Sequence, residues 1–320
     1  MNNNNLKPLL PKSSMKYFDN AQADLDLYLK GISIRVCLEN ILHTVLIHIV
    51  KKERNIQNLD KWKDKGLKSK IDQFKDYFPH EVYNNLLEIK NYSDAAAHDT
   101  GHDTLTESKS IEIVNKLKTI CEWTIISYLK QNGFNTNSWV PTILSTLPPQ
   151  YRVNILEKYF NLLEKDASKI NLHLEQVQNY NNIQVELMQQ AMINNDINEV
   201  ERISKMESKE LEKIDVSNVS KDVEKVLLTV DKLAMAYLKN NDYEKSISFI
   251  NTCFEENIIN LQFRDEMIDK LTSLFRELKN LPIAKNLDDS KESLNEVSKA
   301  IKEDEKDLFL TIFTAILLEG

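Results

Sequence analysis

Lys90, Asp94 and His98 stand four residues apart in "IKNYSDAAAHD", residues 89 to 99. On a single helix that spacing projects all three from one side, within a fan of about 80°. An imidazole exchanges protons near neutral pH, and an ammonium carries a positive charge beside it. A carboxylate between them favours the protonated imidazole but repels an anion. His98, Lys90 and Asp94 are therefore candidate catalytic residues, clustered on one side of a helix. The alanines between Asp94 and His98 add little bulk, so a second helix can approach closely. A lone histidine near a helix end also acts as a plain cap or hydrogen-bonding group, and that reading stands beside the catalytic one.

Other residues offer less. "HDTGHD" holds two His and two Asp within six residues, but the spacing fits no standard zinc site, so no metal is expected. His102 reads as a loop residue, and His43 and His48 as the rim of an apolar helix. The sequence carries no GxxxxGKS or GxGxxG phosphate loop, no GxSxG elbow and no HExxH pair. Nucleotide hydrolysis, acyl transfer and zinc proteolysis therefore lack support, and no cofactor is expected. Cys37, Cys121 and Cys253 are widely separated among apolar residues and read as reduced core thiols.

The elements that would position this set read as all-α. Five glycines and seven prolines in 320 residues leave long stretches for helices. Periodicity predicts a first helix over 15–52, with Leu25, Leu29, Ile32, Val36, Ile41, Val45 and Ile49 inward and Gly31 tolerated. A second runs over 67–77, and a third starts at Pro79 with Val82, Leu86, Leu87 and Ile89 inward. Ser93 or Asp94 then caps a short helix that Gly101 ends. A fifth covers 106–131, capped by Thr106 or Ser108, with Ile113, Leu117, Ile120, Trp123 and Ile126 inward. The expected domains are a bundle over 15–132, a proline-marked linker over 133–150 and an acidic helical domain over 151–320.

In the later part, "LAMAYLKNNDYEKSISFINTCFEEN" resembles one tetratricopeptide helix pair, and a second "NND" lies 46 residues earlier. Up to Val140 there are 19 Lys+Arg against 17 Asp+Glu; beyond it there are 22 against 32. The acidic part is a poor general nucleic-acid platform and is read as a partner-binding or sensing region, whereas the near-neutral first part has room for a basic groove. The longest apolar run, Leu308 to Leu318, is 11 residues with two threonines. A membrane helix needs roughly 20, so no membrane association and a cytoplasmic location are expected, and the run is read as closing the second domain's core.

"IRVCLENIL" at 34–42, "EIKNYSDAAAHD" at 88–99 and the closing amphipathic helix together resemble the HEPN superfamily, in particular its abortive-infection C-terminal relatives. The resemblance covers 15–132. It implies a helical bundle with an Arg and a Glu four apart on an early helix, matched by Arg35 and Glu39 as supporting residues. It also implies a segment Arg, two residues, Gly-Asn, one residue, Ala-Ala-His. Here Lys90 stands for the arginine, Ser93 and Asp94 for Gly-Asn, and His98 for the histidine. Active members are metal-independent ribonucleases that use the Arg and His on RNA and commonly dimerise. Lysine keeps the charge but loses the bidentate fork, and Asp94 adds a negative charge, so the motif is degraded.

Three functions follow as expectations. The first is a dimeric adaptor or scaffold of an abortive-infection or antiphage system. The second is an active HEPN ribonuclease or toxin effector acting on RNA. The third is a general helical interaction protein without a nucleic-acid role. A homodimer through the first domain and a protein partner on the C-terminal half are the expected assemblies.

Overall fold

The structure, a computed structural model, describes residues 8–45, 65–75, 78–98, 105–134, 136–163, 187–203, 216–310 and 313. Helices alone carry the fold, and no strand occurs among the described residues. The compact units are 1–151 together with 284–320, and 152–283.

In the first unit the expected helix from 15 onward is two helices, α1 (Lys12–Gln22) and α2 (Leu27–Val45). The break falls at "ADLD". Ala23 is extended, and the Asp26 carboxylate accepts from the Tyr28 N–H at 2.8 Å, opening α2 as a cap. This changes the inward face. Leu25, Leu29 and Ile32, expected in the core, are exposed, while Ile34, Leu38 and Ile41 are buried. Residues 46–52 and His48 lie outside the described residues.

After α3 (Leu67–Ile71) and a 3₁₀ turn over Asp72–Phe74, α4 spans His80–Ala97 behind Pro79. It buries Val82, Leu86 and Ile89 as expected. Ser93 and Asp94 are interior residues of α4 rather than caps of a new helix. The buried Ser93 hydroxyl donates to the Lys90 carbonyl at 2.9 Å, so it has no call on an uncapped N–H. Gly101 and His102 lie outside the described residues. α5 (Glu107–Asn132) agrees with its sequence signals: Thr106 accepts from the Lys109 N–H, and Gly133 leaves the helix at φ 68°.

The segment 133–150, expected to be a linker, carries α6 (Trp139–Thr146), which buries Trp139, Val140, Ile143 and Leu144. Pro141 sits in its first turn, where a missing N–H removes no intrahelical bond. The C-terminal segment also belongs to this unit instead of closing the second. The Ser290 hydroxyl of α13 (Leu287–Ala300) donates to the Thr146 carbonyl at 2.7 Å. α14 (Glu303–Phe309) follows an extended Ile301, so the expected run over 288–318 is interrupted. Phe309 and Phe313 meet Trp139 edge-on at 5.8 and 5.9 Å.

The second unit begins with α7, described over 149–163, most of which it contains, and its described residues are also helical over 187–193 (α8) and 197–203 (α9). α10 (Val216–Lys239), α11 (Tyr243–Glu255) and α12 (Leu261–Leu278) follow. Phe249 of α11 meets Phe160 and Tyr237 edge-on at 5.1 and 5.7 Å, joining α7, α10 and α11. The two "NND" turns have one geometry. Asn241 and Asn195 both take positive φ, 63° and 52°. Asp242 and Asp196 each accept from a backbone N–H three residues on, both at 3.0 Å. The Asp242 N–H donates to Tyr237 and the Asp196 N–H to Ala191, each five residues back. That is a Schellman-type ending with Asn in the left-handed position.

Candidate functional site

The site is assembled by the crossing of α2 and α4. Gly31 makes that crossing close: a Cβ there would lie 2.2 Å from the Cβ of Ala96. Ala96 is buried. The close approach that the alanines permit is therefore taken by α2 of the same chain, and Gly31 belongs to the site's construction. A glycine inside an apolar-periodic helix, facing an alanine run elsewhere, is the sequence signal for such a contact.

The crossing brings Arg35 of α2 to Asp94 of α4. Arg35 Nη1 donates to Asp94 Oδ1, and Lys90 Nζ donates to Asp94 Oδ2 at 2.5 Å. Arg35 Nε also lies 3.3 Å from Glu39 Oε1. Two cations and two carboxylates thus form one cluster of zero net charge. Burial pushes the Asp94 carboxyl up. The hydrogen bond and charge of Lys90, with the charge and hydrogen bond of Arg35, outweigh this and hold its pKa below the usual aspartate range.

His98 is placed differently. It is the C-cap of α4, with φ −110° and ψ 8°, and its N–H donates to the Asp94 carbonyl at 3.0 Å. The residue is exposed. Of the residues singled out in the sequence, Arg35, Glu39, Lys90 and Asp94 share direct contacts, and His98 stands at the helix end beyond them. Residues 99–104, with the rest of "HDTGHD", lie outside the described residues.

A cation sequence reasoning passed over is Lys30. Its ammonium is buried and pairs with Glu107 Oε1 at 2.6 Å, tying α2 to the first turn of α5. On the other side, Lys116 of α5 bridges Glu88 of α4 and Glu112. These pairs fix α4 between its neighbours. Among the described residues no helix is long and apolar enough to cross a membrane. No family model, curated protein or solved structure matches the chain.

Proposed function

We propose that the chain is a dimeric HEPN-like adaptor or scaffold of a bacterial abortive-infection or antiphage system, with a degraded ribonuclease motif. The observation that carries this reading is the double engagement of Asp94. A ribonuclease of this type needs its cations for the phosphate, and here Arg35 and Lys90 both spend their donors on one carboxylate. An incoming phosphate has to displace that internal anion, and Lys90 offers no bidentate fork with which to compete. The acidic later part is read as the partner-binding or sensing region.

A twofold partner is supported by the exposed face of α2. Leu29 and Ile32 are 52% and 42% exposed, on the side of α2 that also carries Arg35 and Glu39. An apolar stripe beside a charge-balanced cluster suits a self-complementary interface. A dimer by light scattering at micromolar concentration is the expected state. A strict monomer favours the general helical-protein reading.

One observation favours the active-ribonuclease reading: His98 is exposed at the end of the helix that carries Lys90, as a proton-transfer group must be. Incubation of RNA with the purified protein in chelator decides between the two. The adaptor predicts no cleavage by wild type, Lys90→Arg or His98→Ala. Products ending in a 2′,3′-cyclic phosphate, retained or raised by Lys90→Arg and abolished by His98→Ala and Lys90→Ala, would replace the adaptor with the enzyme.

A further inference from the structure

Among the described residues of the second unit, Arg152 and Lys239 are cations that no acid is shown to pair with. Arg152, near the start of α7, is 6% exposed, and its Nε has no hydrogen-bond partner. Lys239, half-buried at the end of α10, lies within electrostatic range of Arg152 and of Lys232, two turns earlier on the same face of α10.

Acceptors nearby are already in use. Glu157 of α7 takes the Tyr237 hydroxyl at 2.6 Å and the Lys245 ammonium at 2.8 Å. Asp231 of α10 holds Lys270 at 2.6 Å and Lys232 at 3.3 Å. Asp242 caps α11. The last carbonyls of α10 are no freer: Ala236, Tyr237 and Leu238 accept from the N–H groups of Asn240, Asp242 and Asn241. Burial is the sole cause that lowers the Arg152 pKa, to about 10. For Lys239, burial comes first, and the charges of Arg152 and Lys232 lower it further.

A buried guanidinium without a counter-charge is among the most costly groups a fold can carry, and native structures rarely leave one unsatisfied. We propose that Arg152 and Lys239 form an anion site in the second unit that takes a phosphate-type dianion, either free phosphate or the phosphate monoester of a small metabolite. Arg152 supplies fixed planar donors, and Lys239, within electrostatic range of it, adds a mobile ammonium. Lys232, already shared with Asp231, adds field without needing to touch the ligand. This site is separate from the Arg35–Asp94 cluster, whose cations are internally neutralised, and does not rest on the adaptor reading.

The test is thermal unfolding of the full chain in potassium phosphate, in AMP as a phosphate monoester, and in sodium chloride of matched ionic strength. At about 100 times the dissociation constant, a bound anion should raise Tm by at least about 3 °C. A rise in both phosphate and AMP, absent in chloride, identifies the phosphate group as the ligand. A rise with only one identifies which source the site admits. Lys239→Gln, which leaves the buried position intact, should reduce the rise at least about twofold. Arg152→Met should abolish it. Equal Tm in all three salts, or an anion response unchanged in both variants, would overturn the proposal. A methionine at 152 that stabilises the protein and leaves Tm indifferent to phosphate would confirm the cost of the buried charge while its loss of response supports the site.

Discussion

Asp94 is the residue on which the functional reading turns, because one carboxylate sets both the charge of the cluster and the cost of opening it. Its partners hold the folded-state pKa below the unfolded value. A group depressed in this way contributes stability that is fully present above the unfolded pKa, and that is lost as pH falls through the folded one. The contribution of Asp94 is therefore intact at neutral pH and disappears in the acid limb, below about pH 4. Asp94→Asn should cost about 1 kcal/mol at pH 7, and its urea midpoint should fall less steeply than that of wild type between pH 5 and 3. Parallel wild-type and mutant curves across that range would mean that the two ion pairs contribute nothing measurable. The four-residue spacing from Lys90 to Asp94 was legible in the sequence, since both lie on one helix. The bond from Arg35 was not, because it crosses 59 residues and depends on how two helices meet.

At the scale of elements, Gly31 decides that meeting. The chain reads easily where a terminus has its own chemistry: Thr106 and Gly133 bound α5 where sequence places them, and both Asn-Asp turns form. It reads poorly where a polar residue can serve either as cap or as interior partner. Asp26 caps a helix that periodicity alone runs through, and Ser93 and Asp94 sit inside a helix they were expected to begin. The distinction depends on tertiary partners: Asp94 has Arg35, whereas among the described residues the Asp26 carboxylate meets the nearby backbone. Periodicity only tolerates Gly31 in α2; its reason is a neighbour on α4, Ala96. Gly31→Ala should destabilise by about 1–3 kcal/mol through overpacking, despite the better helix propensity of alanine. Adding Ala96→Gly should recover part of that loss, giving a coupling of at least about 0.5 kcal/mol in a double-mutant cycle. Additive effects measured by urea unfolding would remove the close contact as the reason for the glycine.

At the scale of the whole molecule, the chain leaves its first unit after 151 and returns to it at 284. Composition did not reveal this, because Pro141, Pro148 and Pro149 look like a linker and the charge shift beyond Val140 looks like a domain boundary. Local signals report where helices start and stop; they do not report that a distant segment comes back. The return is made by aromatic rings, with Phe309 and Phe313 against Trp139 and both fully buried. Trp123 and Trp139 belong to the first unit, and no tryptophan lies in 152–283. Tryptophan fluorescence therefore reports one unit, whereas far-ultraviolet circular dichroism reports helices of both. Phe309→Ala should cost about 3–5 kcal/mol by emptying a buried aromatic site. Its fluorescence transition in urea should move to lower denaturant, while part of the circular-dichroism transition stays at the wild-type midpoint, because the helices of 152–283 keep their own core. If both probes shift together as one cooperative step, the two units unfold as one, and the return of the C-terminal segment stabilises the entire chain rather than the first unit alone.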